Sequence, residues 1–166
     1  CSFSDIIFVG DIMKKLFGIA FATTLLDQLI KNGLLFFMSY GESINIINGF
    51  FNITLIGNTG AAFSILSSNT LLLIIISLVV LNVLYFCFIK GKNLNDFEQL
   101  SFGLLIGGIL GNLIDRVLRM QVIDYLDFNF FGFNFPVFNL ADIAIVISMI
   151  LIAIQVIKGD KNGVSS

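Results

Sequence analysis

Asp115, Asp124, Asp127 and Asp142 all lie in one stretch, residues 107–142, reading GGILGNLIDRVLRMQVIDYLDFNFFGFNFPVFNLAD, which also carries Asn112, Arg116 and Asn139. The stretch leaves one apolar segment, crosses a Phe-rich loop and re-enters another, so its acids gather where chain meets membrane edge. Carboxylates brought to one rim suit acid–base work on water: like charges held close cannot both ionise cheaply, so one acid keeps a proton while the other acts as base. Such a pair titrates jointly. The chain has no His, no G-x-S-x-G elbow and two cysteines, Cys1 and Cys87, the second inside an apolar span. Zinc hydrolysis therefore lacks its usual ligands, and neither a disulfide framework nor a metal cluster is expected. Three arrangements stay open beside an aspartyl pair. Asp127 competes with Asp124, whose face it would share if a helix continued through both. Ser64 and Lys31 make a serine–lysine pair, weakened because Lys31 already has Asp27 as a partner. A non-catalytic four-helix protein with a proton path would instead want polar residues near the midplane of several helices.

The elements that must position these acids are membrane helices. Of the 166 residues, 57% are hydrophobic and the mean hydropathy is +1.00, well beyond soluble globular proteins. A span needs roughly 20 mostly apolar residues, and four segments qualify, about 16–38, 71–89, 98–119 and 140–157. The fold class is thus a mainly α membrane protein, one domain over residues 1–166, with loops 39–70 and 120–138 between spans. A net charge of −2 and the lack of any basic tract argue against nucleic acid. Lys14, Lys15, Lys90, Lys92, Lys158 and Lys161 flank the spans on one side, whereas residues 39–70 contain no Lys or Arg. The positive-inside rule puts both termini and the 90s loop in the cytoplasm and the two loops outside. Arg116 and Arg119 sit against the rule and call for a local job. Met13-Lys14-Lys15 reads as the natural start, with residues 1–12 an N-terminal extension.

Within the spans, Asp27 and Lys31 share a helix face and read as a structural ion pair, since an intramembrane charge costs about 2.5–3.5 kcal/mol at mid-helix. Gly103, Gly107 and Gly111 make a small-residue ridge for close helix approach. Gly108, Asn112, Asp115, Arg116 and Arg119 form the neighbouring stripe, in which Asp115 reads as part of an interhelical hydrogen-bond network. Between spans, Asn52–Leu55 alternates like a half-exposed strand bounded by turns at Gly49 and Gly57-Asn58, within a small outward sheet followed by a short helix from about Ala61. The phenylalanines of the loop DFNFFGFNFPVF, 127–138, suit a segment lying at the interface rather than a strand through solvent. Asn139 caps the last helix, with Asp142 three residues on where a carboxylate favours the helix N-terminus.

Five ordered motifs, DQLIK at 27–31, GNTGAAFS at 57–64, GNLIDR at 111–116, VIDY at 122–125 and FNLAD at 138–142, resemble lipoprotein signal peptidase (signal peptidase II) over residues 13–157. The resemblance implies an aspartic endopeptidase of the bacterial inner membrane. It would remove signal peptides from prolipoproteins just before a diacylglyceryl-modified Cys, near the outer (periplasmic) face. It implies a four-helix bundle with a β-cradle and a short interfacial helix, open laterally to the bilayer. Carried over by motif, Asp124 and Asp142 are the catalytic dyad. Asn58, Gly60, Asn112, Arg116 and Asn139 line the substrate site, which also takes a cyclic peptide inhibitor of the globomycin type. Asp27, Lys31 and Asp115 are supporting polar residues. Prolipoprotein and membrane lipids are the partners of a monomer that uses no cofactor or metal. Two departures stand out: Tyr125 where Phe is common, and Met120-Gln121 in place of a Gly-containing turn.

Overall fold

The structure is a computed structural model describing residues 3–60, 69–130 and 132–163. Along the chain come α1 (Phe3–Phe37), the hairpin β1 (Ser43–Ile47) and β2 (Phe51–Asn58), and α2 (Thr70–Val83), which widens into a π-helical turn at Leu84–Ile89. α3 (Asp96–Arg119), β3 (Val122–Phe130), β4 (Phe133–Asn134) and α4 (Leu140–Gly163) follow. The short helix expected from about Ala61 lies outside the described residues.

Burial is inverted relative to a protein that folds in water. Asp27, Lys31, Asp115 and Asn139 are 0% exposed, while Phe36 is 82%, Phe21 68% and Leu118 69% exposed. An apolar exterior over a polar interior is stable only when the surroundings are themselves apolar. Among the described residues, three helical stretches are long and apolar enough to cross a membrane: Thr70–Ile89, Asp96–Arg119 and Leu140–Ile157. α1, with Asp27 and Lys31 in its apolar part, is not among those three.

α3 is the central helix, and its glycines set how close the others come. A Cβ on Gly103 would lie 2.8 Å from Ile19 Cβ, and on Gly107 2.8 Å from the Ala20 carbonyl oxygen, so α1 rides on this ridge. On Gly108 it would lie 2.5 Å from the Ala141 carbonyl oxygen, so α4 occupies the adjacent groove. α3 starts with a capping box between Asn95 and Glu98. It ends at Met120, whose φ of 58° is left-handed. The Met120 carbonyl accepts from Thr70 Oγ1 at 2.9 Å, which ties the start of α2 to the end of α3.

The four strands form one antiparallel sheet in the order β1-β2-β3-β4. Two expectations are corrected here. The stretch from Val122 to Phe130 is a strand, paired along β2 from Phe51↔Phe128 to Asn58↔Val122. Leu126 to Phe130 alternates apolar and polar, so the phenylalanines fall on one face and Asp127 and Asn129 on the other. Gly57 and Asn58 lie inside β2 rather than in a bounding turn, while Gly49, with φ 71°, does turn between β1 and β2. Phe50, Phe51, Phe128, Phe130, Phe135 and Phe138 form a contiguous ring cluster. Ser43, Thr54, Asp127, Asn52 and Asn45 form a hydrogen-bonded ladder on the opposite face.

Candidate active site

β3 and the first turn of α4 meet at Asn139. As the residue before α4, Asn139 accepts the Asp142 N–H on Oδ1 at 2.9 Å, and Asp142 Oδ2 accepts the Asn139 N–H at 3.2 Å, a reciprocal cap that holds Asp142 at the helix N-terminus. Asn139 Nδ2 then points away from its own helix and donates to Asp124 Oδ1 at 2.6 Å. One residue thus touches both carboxylates. Neighbouring backbone bonds fix the approach: the Tyr125 and Leu126 N–H groups both donate to the Phe138 carbonyl, at 3.0 and 2.8 Å. The Leu140 N–H donates to Tyr125 Oη at 3.2 Å, a contact a phenylalanine would lack.

The remaining oxygens of the pair are also occupied by N–H donors. Asn58 Nδ2 donates to Asp124 Oδ2 at 2.9 Å, its own Oδ1 being held by the Gly60 N–H at 2.9 Å. Asn112 Nδ2 donates to Asp142 Oδ1 at 2.8 Å. Asp124 is buried and Asp142 half-buried. Burial pushes the Asp124 carboxyl up to about 6. Hydrogen bonds from Asn58 and Asn139 pull against that rise, and the nearby Asp142 charge adds to it.

Behind the pair lies a buried ionic cluster. Lys31 Nζ sits 2.8 Å from both Asp27 Oδ2 and Asp115 Oδ2 and donates to Asn112 Oδ1 at 3.1 Å. Asp115 also receives Arg119 at 2.7 Å, Gln28 Nε2 at 3.0 Å and the Ile123 N–H at 3.2 Å. Asp27 Oδ1 accepts the Ala141 N–H at 3.0 Å, which links α1 to the first turn of α4. Gln28, which sequence reasoning missed, is signalled only by its place beside Asp27, one position off the Asp27–Lys31 face.

A cavity of about 950 Å³ opens onto the carboxylates. Asn58, Gly60, Asn112, Arg116, Asp124 and Asp142 line its polar end, and Ile109, Ile143, Val146 and Ile147 part of its apolar wall. Arg116 Nη2 donates to the Gly60 carbonyl at 3.2 Å across the mouth. Every sequence-named site residue except Asn139 and the cluster Asp27, Lys31 and Asp115 lines the cavity, and those four stand directly behind it. Asp127 is on the other face of β3, accepting from Thr54 Oγ1 at 2.7 Å and Asn52 Nδ2 at 3.4 Å. Lys31 is fully buried among acids and so is not disposed as a serine-activating base, and Ser64 lies outside the described residues.

Comparison with known proteins finds one family. The family model described as signal peptidase (SPase) II matches residues 19–158. A lipoprotein signal peptidase of Staphylococcus aureus strain MRSA252 is 42% identical over 144 residues, 87% of this chain and 88% of that one. The strain JH9 protein of the same name is 41% identical over the same shares. Two solved structures, both described as a bacterial membrane enzyme structure obtained by the in meso method, are 42% identical. One superposes with a TM-score of 0.80 over 87% of this chain and 88% of the other, the second with 0.75 over 84% and 90%.

Proposed function

This chain belongs to the signal peptidase II family, and on that premise we propose that it is an aspartic endopeptidase whose Asp124 and Asp142 activate water to cut prolipoproteins just before a diacylglyceryl-modified Cys. Family membership makes it a bacterial membrane protease that removes signal peptides from prolipoproteins. The single observation that carries the dyad assignment is Asn139, whose side chain holds Asp124 while its backbone N–H holds Asp142. Two carboxylates bound to one residue beside a cavity support the reading that they work as a pair.

Asp124, with its raised affinity for a proton, begins as the acid. Asp142, fed by N–H donors at the positive end of α4, begins as the base. Water attacks the scissile carbonyl carbon, giving one proton to Asp142 while Asp124 protonates the carbonyl oxygen. The tetrahedral intermediate collapses when Asp142 passes its proton to the Cys nitrogen, the C–N bond breaks, and an intermediate hydroxyl returns a proton to Asp124. Acid–base catalysis of this kind contributes about 10²–10⁴-fold, the rest coming from orientation and electrostatics.

Substrate selection follows from where the cavity lies. α1 joins the three apolar helices as a fourth span, its Asp27 and Lys31 neutralising one another inside the bundle. Both termini then face the cytoplasm and the sheet lies outside, ring cluster toward lipid and polar ladder toward water. The acyl chains stay in the bilayer while the strand from Ile53 to Asn58 holds the peptide of a monomeric enzyme. A cyclic peptide of the globomycin type competes for the same cavity.

Cleavage of a diacylated prolipoprotein by purified variants tests the assignment. Asp124→Asn and Asp142→Asn are expected to lose about 100-fold or more in kcat, and Asp127→Asn to stay within about threefold of the unchanged enzyme. Wild-type rates in either dyad variant contradict the proposal.

A further inference from the structure

Three asparagines present N–H groups to the carboxylates, and each is turned that way by a donor on its oxygen. For Asn58 the donor is the Gly60 N–H, and for Asn139 the Asp142 N–H, both backbone groups fixed by the fold. Asn112 differs. Its Oδ1 is held by two side chains instead, Lys31 Nζ at 3.1 Å and Asn139 Nδ2 at 3.2 Å, the latter using the N–H that it does not give to Asp124 at 2.6 Å. An asparagine amide is nearly symmetric in shape, so without a cation on one side it can turn its oxygen toward Asp142 and place a lone pair against a carboxylate.

We propose that Lys31 is a positioning residue for the dyad, its ammonium fixing the Asn112 amide so that N–H rather than oxygen faces Asp142; this rests on the dyad reading above. The cluster around it is built for that purpose. Lys31 is fully buried and 2.8 Å from each of Asp27 and Asp115, while Asp115 has Arg119 as a second cation. Asp27 and Asp115 hold the ammonium from one side and leave Asn112 as its remaining partner. An ion pair serving only to tie helices together would need no contact with the residue that touches Asp142.

Removing Lys31 alone strands a buried carboxylate and risks the fold, so the test uses the charge-balanced pair Asp27→Asn/Lys31→Met, which keeps an oxygen for the Ala141 N–H. Full-length protein and a diacylated prolipoprotein are used in single turnover, so that slow variants remain measurable. The pair is expected to melt cooperatively, to lose about tenfold or more in kcat and to keep KM within about threefold. Added to Asn112→Ala, it should cost less than about twofold further, because its effect runs through that side chain. A wild-type kcat, or the same tenfold loss repeated on the Asn112→Ala background, overturns the proposal. If the pair does not melt cooperatively, Asn112→Asp decides. That variant keeps an oxygen for Lys31 and puts a carboxylate oxygen in place of the donor facing Asp142, so about a tenfold loss is expected and wild-type kcat overturns the idea. Asp124→Asn separates the two levels: activity in it defeats the dyad, whereas its silence beside a fully active Asp27→Asn/Lys31→Met defeats only the role of Lys31.

Discussion

Asp124 is a buried carboxylate at the edge of the cavity. Burial lifts its carboxyl to about 6, and Asn58 is the strongest of the hydrogen bonds holding it down. In the proposed mechanism the protonated form of Asp124 starts the reaction, so kcat/KM is expected to fall as pH rises through that value. Asn58→Ala removes a donor to the anion, so the alkaline limb of the profile should move to higher pH. A limb that stays or moves down in a pH series on this variant contradicts the role given to Asp124. The two aspartates were legible in the sequence through their motifs, and Asn139 was legible as a cap. Its second contact, to Asp124, was not, because a cap side chain is assigned from its own helix and the partner lies on a strand. Nor was the task of Tyr125 Oη, since a tyrosine replacing phenylalanine gives no sign of what its hydroxyl meets.

At the scale of elements, the glycine ridge of α3 was read correctly from a four-residue period, because close helix approach is a local property of small residues. Substitution separates the two kinds of glycine in the chain. Gly108→Ala drives a Cβ to 2.5 Å from the backbone oxygen of Ala141, which cannot give way, and is expected to destabilise by about 1–3 kcal/mol. It should also disturb Asp142, one residue further along α4. Gly33→Ala, in α1 with open space around it, should be neutral or stabilising by up to about 1 kcal/mol. Thermal melts of the two in one detergent decide; equal shifts would deny that α4 is seated on Gly108. β3 was misread for a reason visible in the residues. Alternation from Leu126 to Phe130 announced a strand, but the later phenylalanines and Gly132 blurred its period, and aromatic richness was taken for interfacial placement alone. Asp127 would share the face of Asp124 only if a helix ran through both, whereas three positions along a strand carry it to the other side.

For the whole molecule, hydropathy identified a membrane protein at once, and the inverted burial gives the physical counterpart. The proposed orientation rests on the placement of the lysines. Single cysteines placed at Lys92 and Ser43, in a Cys1→Ser/Cys87→Ser background, should label from opposite sides in intact cells, Ser43 with an impermeant reagent from outside. Labelling of both from one side would reverse or fold back the arrangement and remove the cavity from the substrate leaflet. The account stands on Asp124 and Asp142 acting on the same atom. The most direct measurement is a structure with a diacylated peptide carrying a hydroxyethylene isostere at the scissile bond. Its hydroxyl is predicted within about 2.5–3.2 Å of one oxygen of Asp124 and one of Asp142; a hydroxyl in contact with only one of them, or with Asp127, would contradict the shared dyad.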